Sequence, residues 1–170
     1  MSAALPLLIN AFWGMCVLRI APQDVPRSSA LLALVTALNL LFSVLINQLQ
    51  LDLGAAVLVA VVELTVLFGL TATLLFYRRL SPRLTQTMTA LMGTGAIIGA
   101  LVLLLLWSFP QIPQLLRLAI FLWNLLIMAH ILRHALGVHL AVGFLIAIGY
   151  AVALVQLIWF VDGLLGAAAA

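Results

Sequence analysis

Glu63 lies in the run VVELTVL, residues 61–67, inside an otherwise apolar stretch from Gly54 to Tyr77. A carboxyl group in that setting can pair with a cation, accept hydrogen bonds from hydroxyls and amides, or relay a proton or cation through an apolar layer. Inserting an ionisable side chain at the centre of a membrane helix costs roughly 2.5 kcal/mol or more, so such a residue turns towards partners and often marks function. Suitable partners recur at helical spacing. Thr36, Asn39, Ser43, Asn47 and Gln50 follow one another at steps of three and four, which is one face of a helix. Arg117 and Asn124, seven apart, share a face of another. Ala56 and Ala60 lie on the face of Glu63, and small residues there permit close helix approach. The expected intramembrane polar cluster is Glu63, Asn39, Ser43, Arg117 and Asn124, with Glu63 against the Thr36, Asn39, Ser43 stripe and Arg117 or Asn124 as its partner. No second carboxylate is placed to receive a proton, which favours a structural carboxyl over a relay.

Two other motifs invite chemistry. His130 and His134 in HILRH are four apart, a spacing that puts two imidazoles on one helical face, as zinc ligands require. The glutamate of HExxH is missing and no Cys or acidic ligand is near in sequence, so they are weak metal candidates. Basic residues at a helix end also complement its C-terminal dipole and bind lipid headgroups. In TALMGTGAIIGA, residues 89–100, Gly95 and Gly99 form a GxxxG step that suits close helix packing in lipid. No strand precedes it, so it is not a dinucleotide fingerprint. Gly143, Ala147 and Ala151 give the last apolar stretch a similar face. Neither a nucleophile elbow nor a phosphate-binding loop occurs, which argues against a familiar enzyme, and no cofactor is implied.

The elements that must position these residues follow from composition. With 67% hydrophobic and 6% charged residues and a mean hydropathy of +1.36, 170 residues cannot furnish the surface of a water-soluble globule. Apolar stretches at 29–47, 54–77, 87–108, 114–132 and 138–161 each approach the ~20 residues that cross a bilayer core. The expected fold is all-α, a polytopic transmembrane helical bundle of five spanning helices, six if residues 3–18 also cross. Residues 1–21 form an N-terminal interfacial or re-entrant helix, 22–28 a proline-containing linker, 29–161 the bundle and 162–170 a short tail. The segment 3–18 is of marginal length and is interrupted by Pro6 and Asn10, which favours the interface.

All seven basic residues are arginines, and six of them, Arg117 being the exception, fall on one side of this threading. By the positive-inside rule that side is cytoplasmic, giving an N-in, C-out protein with Asp52 and Asp162 outside. In this setting the positive charge implies a bilayer, not nucleic acid. Trp107, Trp159 and Tyr77 fall near span ends, where aromatic belts form. Ser28 and Ser29 are placed to cap the first span, Ser81 with Pro82 and then Pro113 to open later ones, and Gly137 to stop the fourth. Cys16 stands alone and cannot form an internal disulfide.

In RRLSPRLTQTMTALMGTGAIIG (78–99), LRIAPQDVPRSSALLAL (18–34) and HILRHAL (130–136) the chain resembles small uncharacterised integral membrane proteins of proteobacteria, loosely similar to the Yip family of five-span proteins. That resemblance implies a multi-pass protein of the bacterial inner membrane with a cytosolic N-terminus. The family's long cytosolic N-terminal region and DLYGP-type signature are missing, so no functional residue is carried over. The expected function is a noncatalytic membrane protein that organises or supports other membrane components through helix–helix interactions, its partners being the bilayer and other membrane proteins or a second copy. The alternative is a small transporter or channel subunit with a polar path around Glu63, Asn39 and Arg117.

Overall fold

Short polar punctuation sets the helices. The computed structural model describes the backbone over 4–109 and 112–168 and side chains over 6–109 and 112–159. After α1 (Ala4–Cys16) and a 3-10 turn at Pro22–Asp24, the Ser28 hydroxyl accepts from Leu31 N at 3.2 Å and starts α2 (Ser29–Asn47). Asp52 does the same for α3 (Leu53–Tyr77), accepting from Ala55 N at 3.0 Å. Each of these bonds satisfies an otherwise orphaned N–H of a first turn. Ser81 makes no side-chain cap: Ser81–Arg83 form a 3-10 turn, and α4 (Leu84–Ser108) begins after it. Pro113 is the N-cap of α5 (Gln114–Leu136), which stops where Gly137 takes a left-handed conformation, φ 67°. The Gly137 and Val138 N–H groups both reach back to the Arg133 carbonyl and close the last turn. The last helix, α6 (Leu140–Ala168), continues through most of the expected tail, while Ala169, Ala170 and the Asp162 side chain lie outside the described residues.

Helices α2 to α6 are each long and apolar enough to cross a membrane, and no strand occurs among the described residues. By length and hydropathy the chain is a multi-pass helical membrane protein. At 13 residues, α1 rises only ~20 Å and falls short of a bilayer core.

Helix α4 is the centre of the bundle. It buries nearly every side chain from Thr87 to Ala96, and Thr87, Thr89 and Thr94 are tolerated there because each hydroxyl donates to the carbonyl four residues back. Helix α2 lies along it in the same direction: Arg27 Nε donates to Gln86 Oε1 near the two starts, and Leu49 borders one surface pocket with Leu103 and Trp107 near the two ends. At the α5–α6 crossing, a Cβ on Gly143 would lie 2.5 Å from the Ala129 carbonyl oxygen, so only glycine permits this approach. One end of the bundle carries Arg27, Arg78, Arg79, Arg83 and Arg133, and Arg117 projects near the other. Tyr77 and Trp107 are exposed at helix ends, and Trp159 is exposed within α6, nine residues before that helix stops.

The N-terminal segment is wedged between α4 and α5. Phe12, Met15, Cys16 and Val25 are buried in the same core as Met88, Met92, Ile127 and Ile131. Leu18 adopts a left-handed conformation, φ 62°, which costs a residue with a Cβ roughly 1–2 kcal/mol. The reversal folds Ile20 onto Gly14, where any Cβ would collide with it. Irregular backbone packed among helices needs partners for its polar groups, and α5 supplies them. Trp123 Nε1 donates to the Cys16 carbonyl at 2.9 Å, and His130 Nε2 lies 3.1 Å from the Ile20 carbonyl.

Candidate functional site

The polar stripe of α2 meets α3 and α4 through Ser43 and Asn39 and also lines a cleft. Asn39, Ser43, Asn47 and Gln50 border a cavity of ≈ 470 Å³ closed by α3, α4 and α5. A second cavity of ≈ 300 Å³ adjoins it deeper in the bundle, and Asn39, Glu63, Gly95, Phe121 and Asn124 line both. Glu63 therefore stands where the two meet. It is ten residues from Leu53, ~15 Å along α3, and Asn124 is ten residues from Gln114 on α5, so the two are level.

Glu63 is half-buried and held from one side. Ser43 Oγ donates to its Oε2 at 2.5 Å, and Asn47 Nδ2 in turn donates to Ser43 Oγ at 3.3 Å. A relay of amide, hydroxyl and carboxyl thus runs across the α2–α3 contact, which Ala56 and Ala60, both buried, allow to be close. The other face of the carboxyl looks into the void. Arg117 and Asn124 border the same cleft, yet among the described residues neither makes an ion pair or hydrogen bond with Glu63. The expected partner from α5 is replaced by Ser43 of α2, because the first half of α5 stands away from α3 and leaves Leu115, Arg117, Leu118 and Phe121 exposed. Thr36 lies on the stripe without lining either cavity.

Gly95 and Gly99 face α2, and they do different work. A Cβ on Gly99 would come within 2.9 Å of Phe42 Cβ, a group fixed to the backbone, so Gly99 sets the α2–α4 distance. A Cβ on Gly95 would strike the Asn39 amide nitrogen, the mobile end of a side chain. Gly95 makes room for that amide at the cavity wall.

His130 and His134 are together, ring centroids 4.7 Å apart and edge to face. His130 is 3% exposed and its Nε2 is already engaged with Ile20, which assigns it to the N-terminal wedge. Among the described residues no group of three His, Cys, Asp or Glu comes together around a metal-sized point. The carbonyls at the end of α5 are met from elsewhere: Arg83 donates to the Ala135 carbonyl at 3.1 Å and Gln23 Nε2 to the His134 carbonyl at 2.7 Å. Cys16 is buried and free.

Sequence reasoning missed several polar contacts. Tyr150 lines the deeper cavity and its hydroxyl is 3.0 Å from Thr71 Oγ1, a buried tie between α3 and α6. Gln86 Nε2 holds the Val25 carbonyl at 2.9 Å and the Gln23 carbonyl at 3.2 Å. A tyrosine in mid-span and a glutamine one turn into a helix were the available signals, since neither is placed there by hydropathy. Comparison of the chain with protein-family models, curated proteins and solved structures finds no match.

Proposed function

We propose that the protein is a noncatalytic solute-binding subunit of transporter or channel type in the bacterial inner membrane, with Glu63 at the centre of its polar path. One observation carries this: Glu63 sits at the junction of two cavities, takes one hydroxyl donor from Ser43, and presents its remaining lone pairs to open space bordered by amides. A carboxyl kept only for helix association would be closed over by its partners, since an unfilled polar void gains nothing for packing. The cleft is bordered near one end of the bundle by Arg117, Gln50 and Ile112, while Met92 and Ile127 line the deeper cavity and pack with the N-terminal wedge towards the arginine-rich end. With the arginine-rich end cytoplasmic, as the charge asymmetry implies, the Arg117 end of the cleft lies outside, and in this function it is the end through which solute enters. Solute flux into liposomes holding the purified protein tests this: flux that Glu63→Gln abolishes without loss of folding supports it, and an impermeable bilayer contradicts it.

A second function, organising other membrane proteins or a second copy by helix contact, is favoured by one observation. Thr65, Gly69 and Thr73 form an exposed line of small residues on α3, and nothing lies within 4 Å of the position a Gly69 Cβ would take. The Gly99 and Gly143 faces, by contrast, are used inside the chain. A stable partner recovered in detergent, lost on Gly69→Leu, supports this function, and the five-span plan of the Yip-like resemblance is compatible with either.

A further inference from the structure

We infer that the cleft takes a zwitterion, a small solute or headgroup carrying a primary ammonium and a carboxylate or phosphate, with the ammonium at Glu63 and the anion at Arg117. This rests on the solute-binding function proposed above and specifies its ligand. Both charges border one void, yet they do not meet: among the described residues Glu63 is bonded to Ser43 and no carboxylate pairs with Arg117. Arg117 is seven residues from Asn124, the residue level with Glu63, which separates the two charges by ~10 Å along the bundle before the side chains reach towards each other. Half-buried Glu63 is stabilised by a partner of opposite sign, and Arg117, exposed at the rim of the same cleft, is placed to meet the anionic end of that ligand. A ligand with both charges, spaced along a chain of a few carbons, satisfies each end, with the amide oxygens of Asn39 and Asn124 beside Glu63 available to its ammonium and Phe42, Ile120 and Phe121 beside its methylenes. Guanidinium recognises carboxylate and phosphate equally well, so a free ω-amino acid and the headgroup of an ethanolamine phospholipid share this chemistry.

The test uses the full chain in phosphatidylcholine nanodiscs, with 6-aminohexanoate, hexylamine and hexanoate as probes in isothermal titration. The zwitterion binds most tightly; Glu63→Gln removes its advantage over hexanoate, and Arg117→Gln removes its advantage over hexylamine, each weakening it about tenfold or more. Phosphatidylethanolamine that co-purifies with the parent and is lost from both variants supports the same chemistry with a lipid source. Hexylamine binding as tightly as 6-aminohexanoate, with Arg117→Gln silent, overturns the zwitterion while leaving a cation-binding cleft. No binding by any probe and no retained phosphatidylethanolamine, together with failure of a water-soluble maleimide to label Ser43→Cys or Asn124→Cys, overturns both the zwitterion and the cleft.

Discussion

At the scale of single residues, the contacts separate groups that hold the bundle together from groups that face its void. Glu63→Gln keeps one acceptor for Ser43, so the variant is expected to melt within a few degrees of the parent in detergent, while ligand binding weakens about tenfold or more. Glu63→Leu removes the acceptor and leaves Ser43 and Asn47 to each other, with a stability change of about 1 kcal/mol in either direction. Melting curves of the two variants beside a binding assay check this, and full binding by Glu63→Leu would mean the carboxyl has no role. The paired glycines give a sharper contrast. Gly99→Ala pushes against Phe42 Cβ and is expected to destabilise by roughly 1–3 kcal/mol. Gly95→Ala displaces only the Asn39 amide, so it should spare stability and perturb binding. Equal melting of the two alanine variants would remove the distinction. The sequence made the GxxxG step legible as a contact, but two glycines of one motif look identical until the atoms opposite each are known.

At the scale of elements, the N-terminal wedge is the part whose place depends most on a few polar side chains. Trp123 and His130 serve carbonyls of a backbone that is not helical where it is buried, and losing such a donor leaves an unsatisfied acceptor worth about 1–3 kcal/mol. Trp123→Phe and His130→Leu are therefore expected to loosen residues 4–25 before they unfold the bundle. Limited trypsin digestion reads this at Arg19, which should be cut faster in both variants than in the parent while the remaining helices stay intact. Unchanged cleavage at Arg19 would mean the wedge is held by its apolar contacts alone. Hydropathy located all five long helices because twenty apolar residues are a strong periodic signal. It could not place α1, because a short apolar helix packs as well against protein as against an interface, and the two polar groups that decide the matter lie more than 100 positions away.

At the scale of the whole molecule, arginine placement and the cleft point in opposite directions. The arginine-rich end should be cytoplasmic and the cleft should open outward. A cytoplasmic-active reporter inserted at Ser81 and a periplasmic-active one at Gln50 are both expected to be active, and reversal of the pair would invert the topology. The polar stripe of α2 was legible from spacing, as was the depth shared by Glu63 and Asn124. That these groups border a void beside the α2–α3 contact was not legible, since it depends on how far α5 stands from α3, a tertiary distance that no local pattern encodes. The central claim is that Glu63 lies in a cleft reached by water from the end opposite the arginines. Cysteine accessibility measures this most directly in a Cys16→Ser background, with single cysteines at Ser43, Asn47 and Asn124 compared with Leu58 and Val152 on the outer faces of α3 and α6. An impermeant maleimide added to intact spheroplasts is predicted to label the three cleft positions and neither outer one. Labelling of none of the three, or of all five alike, would contradict the account.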